Sequence, residues 1–312
     1  MREQSPSDPE FENLLRKTHE AAAAGNGKDV TELAIAMLAR ATQWAMAHPS
    51  PEDPIYERAR DCEARGDWNE AESSRNVILA LALQHPTPGY ACKAHWELAN
   101  HYSARGLTDQ ALAHSQAALD HARKSDISTL VHMALERQCR TLLQKGNVQA
   151  ALDAIEEGLS LTPNEPLTSN ARARALAFRA RCHAKLGRFD DAETSLKEAA
   201  DILEPPDPEK AMPGARSGMA LWWRASSILC AQRNDWAGAL KAAEEELTIQ
   251  RFAVSMPDFA GVSTLTALAE TLAWLEVCCI GNGFIDQAKE AAAESDRIRA
   301  ELKLPRLERG SA

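Results

Sequence analysis

The stretch ARARALAFRARCHAKLGR, residues 171–188, places Arg174, Arg181 and Lys185 at spacings of seven and four. On a helix those spacings share one face, so three cations would point the same way. Guanidinium groups so arranged can grip carboxylates through paired, charge-assisted hydrogen bonds. Similar residues stand upstream and downstream: Lys93, Trp96 and Asn100, then Arg137 and Arg140, then Phe178 within the dense stretch, then Arg224. The chemistry they suggest is recognition of an acidic group, with Trp96 offering a ring to stack on.

Other chemistries find only partial matches. AAAAGNGKD has Ala22 where a phosphate loop needs its first glycine, and Asp29 follows Lys28. It also follows a helical stretch rather than a strand, so its amides would not form a phosphate cradle. The nine histidines never form H-E-x-x-H, and His114 and His121, seven apart, stand too far separated to share one metal ion. Seven cysteines make an odd number with no C-x-x-C, which excludes a disulfide framework or a zinc ribbon. The carboxylate clusters repeat on the expected second helices, as a solvated face would require. No catalytic residue, metal site or cofactor is expected.

The elements that must position the cations come from a repeat. Gly66, Gly106, Gly146, Gly187, Asn234 and Gly283 follow one another at intervals of 40, 40, 41, 47 and 49 residues. Five residues after each stands an alanine: Ala71, Ala111, Ala151, Ala192, Ala239 and Ala288. Two after each stands Trp68, Thr108, Val148, Phe189, Trp236 or Ile285, expected to fill the groove between the two helices of a hairpin. Seven before each is a small residue in most cases, such as Ala59, Ala99, Cys139 and Ala180. Glycine in the left-handed conformation ends one helix, and small residues on both sides let the two helices approach closely. Cys62, Cys230 and Cys279 share the position four before the turn, which assigns them to the core.

Such a register resembles the tetratricopeptide repeat family, carried by GDWNEA, GNVQAALDAIEEGLSLTP and GRFDDAETSLKEAA. The period, near 40 rather than 34 residues, is similar to the long variants of bacterial regulatory and scaffold proteins. The resemblance implies an all-α, right-handed α-solenoid of about seven helical hairpins. It also implies that the first helix of each hairpin lines a concave groove, placing Lys93, Trp96, Asn100, Arg137, Arg140, Arg174, Phe178, Arg181, Lys185 and Arg224 there. Family members that hold peptide C-termini use lysine, arginine and asparagine on such places, which Lys93, Asn100, Arg137 and Arg140 could supply.

The expected organisation is a loose N-terminus (1–7), a degenerate capping hairpin (8–51), six hairpins (52–302) and a frayed tail (303–312). Two longer connections, 204–218 and 254–264, should decorate one rim. Thirty-five basic against 45 acidic residues leave a formal charge of −10, which disfavours nucleic acid and anionic membrane as partners. The N-terminus has no secretory apolar segment, and runs such as VILALAL are far shorter than a membrane span. A cytoplasmic scaffold that binds another protein or peptide through an acidic or carboxylate-bearing segment is expected. The rival expectation is a regulatory sensor whose groove takes a signalling peptide or small molecule.

Overall fold

The computed structural model describes residues 53–161, 169–203, 213–256 and 261–307, together with eight isolated positions between 13 and 36. The chain divides into compact units at 1–54 and 55–312. Within the first, Asn13, Leu14, Arg16, Lys17, Glu20, Leu33 and Ala36 are helical and Ala24 is in a turn; the rest of the capping hairpin expected at 8–51 lies outside the described residues.

From Asp53 onward the described residues form twelve helices and no strand. They pair as α1 (Asp53–Ala64) with α2 (Trp68–Gln84), α3 (Pro88–Ala104) with α4 (Thr108–Lys124), and α5 (Ser128–Gln144) with α6 (Val148–Ser160). Then come α7 (Ser169–Lys185) with α8 (Phe189–Leu203), α9 (Pro213–Gln232) with α10 (Trp236–Ser255), and α11 (Val262–Gly281) with α12 (Ile285–Glu301).

Each hairpin turns on the residue marked by the repeat. Gly66, Gly106, Gly146, Gly187 and Gly283 have φ between 70° and 80°, and Asn234 adopts 62°. The next amide donates to the carbonyl five residues back in the ending helix, as from Asp67 to Cys62, Asn147 to Leu142 and Phe284 to Cys279, at 2.8–2.9 Å. That bond closes the last turn and satisfies a carbonyl the helix would otherwise leave unpaired. Asn147 and Asp235 then cap the following helices, accepting from the amides of Ala150 and Gly238.

The small residues make the close approach. Ala71, Ala111, Ala151, Ala192 and Ala239 are wholly buried, as are Ala59, Cys139, Ala180 and Ser227. A larger side chain there would force the helices apart, at a cost of about 1–3 kcal/mol. At two of the repeats the bulky residue two after the turn also packs on the next hairpin. Trp236 lies against Gly281, where an added methyl carbon would come within 2.2 Å of its ring, and its carbonyl accepts from Asn282 Nδ2 at 2.7 Å. Phe189 carries the guanidinium of Arg233 over its ring at 5.4 Å. Ile285, in the sixth hairpin, is 50% exposed.

The wider repeat spacing near the C-terminus is partly helical rather than all loop. Helices α9, α10 and α11 each run to 20 residues, so 213–218, 254–255 and 262–264 belong to helices. Helix α11 is long and apolar enough to cross a membrane by length and composition, unlike the short runs read from the sequence. Its apolarity has a local cause: it packs between α10 and α12 and buries Leu268, Leu272, Trp274 and Cys278.

The solenoid closes on itself. Trp68 Nε1, in the first hairpin, donates to the Leu302 carbonyl at 2.8 Å, and Trp68 joins Leu302, Leu304, Leu272 and Ile298 in one buried cluster. Lys303 Nζ lies 3.6 Å from Asp67 Oδ1, and Arg299 reaches the Ala104 carbonyl of the second hairpin at 3.5 Å. Helices α3 and α11 also touch directly. Residues 303–307, expected to fray, therefore join Leu302 as a clasp between the last hairpin and the first two; residues 308–312 lie outside the described residues.

Candidate functional site

Inside the closed solenoid lies a cavity of about 950 Å³. Helices α3, α5, α7, α9, α11 and α12, with the first residues of α4 and α10, line it together with residues 305–307 of the clasp. Six arginines face it (Arg105, Arg140, Arg181, Arg224, Arg299 and Arg306) against three carboxylates (Glu270, Glu276 and Asp296). An acidic chain has gathered a cationic interior, which a low-dielectric wall makes more attractive to an anion than the same charges on a surface.

Most of these arginines are already engaged. Arg224 Nε donates to Glu246 Oε2 at 2.6 Å, and its NH2 group donates to Thr271 Oγ1, which in turn donates to Glu246 Oε1. All three are buried; burial works against the charge of Arg224, but Glu246 outweighs it and holds the guanidinium above its ordinary pKa. Arg105 pairs with Glu72 at 2.6 Å, Arg306 faces Asp296 at 3.6 Å, and Arg299 donates to the carbonyls of Pro305 and Ala104. Arg140 reaches only to 3.8 Å from Glu270 Oε2 across the cavity.

Arg181 differs from them. Its Nε is buried and has no hydrogen-bond partner. Burial first, and then the charge of Arg224, pull its pKa down, with Glu270 opposing from across the cavity. One turn on, Lys185 is pushed down to about 8, again by burial first and then by Arg181 and Arg224. A guanidinium taken from water without a partner is costly, and an anion placed against it would offset that cost.

The ten residues picked from the sequence divide into three groups. Arg140, Arg181 and Arg224 line the cavity, and the charges of Arg181 and Arg224 act on Lys185. Trp96, Asn100 and Arg137 engage one another: the guanidinium of Arg137 stacks 4.6 Å above the Trp96 ring and donates to Asn100 Oδ1 at 2.9 Å. Burial, helped by the neighbouring charge of Arg140, pushes Arg137 down to about 10. The rest go elsewhere. Arg174 forms a forked pair with Glu136, at 3.0–3.2 Å. Lys93 is exposed above the Tyr56 ring. Phe178 is core, 4% exposed, because at its position α7 faces the neighbouring helices rather than the cavity. The lysine–asparagine–arginine clamp implied by the resemblance is thus not assembled: Asn100 is taken by Arg137 and Lys93 stands outside the cavity.

Arg105, Arg299, Arg306 and Glu270 line the cavity but were not among the residues read from the sequence. Arg105 immediately precedes a repeat glycine, and a count of turn-adjacent cations could have found it. Arg306 belongs to the clasp, which leaves no periodic signal, and Arg299 stands on the last turn of α12, a second helix, outside the first-helix positions that the repeat samples.

A second polar network is buried outside the cavity. Arg75 forks onto Glu63 at 2.7 and 2.9 Å and reaches Glu97 at 3.1 Å, while His101 Nδ1 lies 2.8 Å from Glu63 Oε1. Burial would raise the Glu63 carboxyl, but its hydrogen bonds from His101 and Arg75 outweigh it and hold the group low. This network ties α1 to α2 and α3 and has no opening for a ligand in the cavity lining. Among the described residues no His, Cys, Asp and Glu group is disposed to hold a metal ion.

No protein-family model and no curated protein matches the chain. Solved structures do. A tetratricopeptide repeat protein from Parabacteroides merdae is similar with a TM-score of 0.53 at 15% identity, over 95% of this chain and 98% of that one. A Rap protein complexed with competence and sporulation factor gives 0.53 at 12% identity, over 95% and 99%. NprR in complex with its cognate peptide NprX gives 0.54 at 10% identity, over 94% and 81%. At such identities the likeness is one of fold: the chain is an all-α solenoid of the tetratricopeptide-repeat type.

Proposed function

We propose that this solenoid is a binding scaffold whose axial cavity takes an acidic or carboxylate-bearing peptide segment. The observation that carries the reading is Arg181, whose enclosed Nε has no partner in a cavity that holds twice as many arginines as carboxylates. A carboxylate placed between Arg181 and Arg140 would gain charge-assisted bonds of about 1.5–3 kcal/mol each, because both groups are already partly desolvated. NprR was solved with its cognate peptide bound, and its fold is the one seen here; that supports a peptide as the ligand form.

The cavity volume favours a particular variant of this reading. About 950 Å³ is at the upper end of the roughly 300–1,000 Å³ range of small-ligand sites. A short free peptide suits it better than the flank of a folded protein, which supports a sensor that responds to a signalling peptide. The proposal is of a binding module, not an enzyme, and we place it in the cytoplasm, in keeping with seven free cysteines.

The test is a library of randomised hexapeptides with free C-termini, passed over the immobilised protein, with retained peptides sequenced. Enrichment of Asp and Glu is expected, along with loss of that enrichment for Arg140→Glu/Arg181→Glu at unchanged helical ellipticity. Retention without acidic bias, or equal retention by the double variant, would refute the reading.

A further inference from the structure

We propose that Glu270 stands in for the ligand carboxylate, and that an acidic ligand binds by displacing it. The inference rests on the function proposed above and adds to it a built-in competitor and a requirement on the ligand.

Glu270 projects from α11 of the sixth hairpin into the cavity, where its Oε2 lies 3.8 Å from NH2 of Arg140 on α5 of the third. That is about 1 Å beyond the usual length of a charge-assisted hydrogen bond. Both side chains keep water contact, at 40% exposure for Arg140 and 30% for Glu270. The neighbouring Arg224–Glu246 pair shows what a structural ion pair looks like here: 2.6 Å long, buried, and braced by Thr271. Among the described residues Glu270 has no such brace. It is a loose tether between opposite walls.

Its placement nevertheless answers a need. Arg140, Arg181, Arg224 and Arg299 share one cavity and repel one another. The charge of Glu270 is felt at Arg181, Arg224 and Arg299 as well as at Arg140. One carboxylate on a fixed helix cannot meet all of them at bonding distance, and Arg181 Nε is left without a partner. A free ligand is not so constrained. It can bring one carboxylate to Arg181 and a second to Arg140, freeing Glu270 towards water. A ligand with a single carboxylate would only exchange one negative charge for another. The favoured class is therefore a peptide with two neighbouring carboxylates, such as an acidic residue beside a free C-terminus.

The experiment uses the full chain and N-terminally fluorescein-labelled tetraglutamate with a free C-terminus, read by anisotropy, alongside melting curves with and without citrate. Glu270→Gln removes the competitor and should tighten tetraglutamate binding about tenfold. The control Glu276→Gln, at another lining carboxylate, should change it by less than about threefold, roughly the weight of an exposed charge. Without a ligand, Glu270→Gln leaves the arginines less compensated, so it should melt below wild type, and citrate should raise its melting point more than it raises that of wild type. Binding no tighter than wild type, or a melting point that citrate does not restore, overturns the stand-in role. If wild type binds the probe, Arg181→Glu does not, and Glu270→Gln behaves as wild type, only this inference fails. If neither wild type nor Glu270→Gln binds the probe or responds to citrate, this inference fails together with the peptide reading.

Discussion

Replacing Trp68 by alanine tests whether the clasp contributes to stability. Trp68 is 8% exposed, sits in the cluster with Leu302 and Leu304, and donates its ring N–H to the Leu302 carbonyl. Trp-to-Ala changes in cores cost about 3–5 kcal/mol, and loss of the bond leaves a carbonyl unpaired at about 1 kcal/mol more. Part of that cost belongs to contacts inside the array, since the Trp68 ring also lies 5.4 Å from that of His101. Ending the chain after Glu301 separates the two parts. In the shortened chain Trp68→Ala should cost only about half as much, giving a coupling of roughly 1.5–2.5 kcal/mol between the tryptophan and the clasp. Urea unfolding followed by far-ultraviolet ellipticity measures all four corners of the cycle. Equal costs in the two backgrounds, within about 0.5 kcal/mol, would refute an energetic role for the contact.

Two further outcomes follow from local geometry. His95, His114 and His121 pack together, with 3.0 Å between the Nδ1 atoms of His95 and His114. Burial first, and then the two neighbouring rings, hold His95 at about 4; burial also lowers His114 and His121, against Glu72 and Asp120 and, for His121, with help from Lys124. With folded pKa values below the unfolded one, the unfolded chain takes up protons first as pH falls. Stability should therefore decline from about pH 6.5 towards 4, and His95→Gln should flatten the melting-point profile between about pH 6.5 and 5; an unchanged slope would count against the packing. The second outcome compares two glycines. Gly146→Ala meets no atom within 4 Å but must hold φ near 80°, for about 1–2 kcal/mol of backbone cost. Gly281→Ala gains helix propensity yet drives its methyl carbon into the Trp236 ring, so it should destabilise by about 1–3 kcal/mol; stabilisation would show that the ring does not wedge the hairpins apart.

The six turns were legible because a left-handed turn residue is a local requirement and leaves a mark at one position. Of the three cysteines the repeat assigns to the core by the same position, Cys62 and Cys279 are buried and Cys230 is half-buried against it. Which face looks inward was harder to read. Arg181 and Phe178 are three residues apart on α7, yet one lines the cavity and the other is core. A shift of less than one turn decides that, and it depends on how neighbouring hairpins are tilted. Pairings between hairpins were not legible at all. Arg174 could have chosen any of several carboxylates, and its fork onto Glu136 follows from the packing of α7 beside α5. The clasp had no signature because LPRL is not periodic, and its Leu302 and Leu304 are apolar only in relation to a surface over two hundred residues away.

Closure changes how the array responds to error. In an open stack of repeats a small change of angle at one joint moves everything beyond it, but no contact is lost, because each repeat touches only its neighbours. Here the first and last hairpins must meet at Trp68 and Leu302, 234 residues apart. Any joint that opens by a few degrees adds its error at that seam. The seam should form last in folding, after all six hairpins have set their angles, and it should be the first place to exchange amide hydrogens. A ring of hairpins with one seam is in effect a gauge of the sum of its own joint angles.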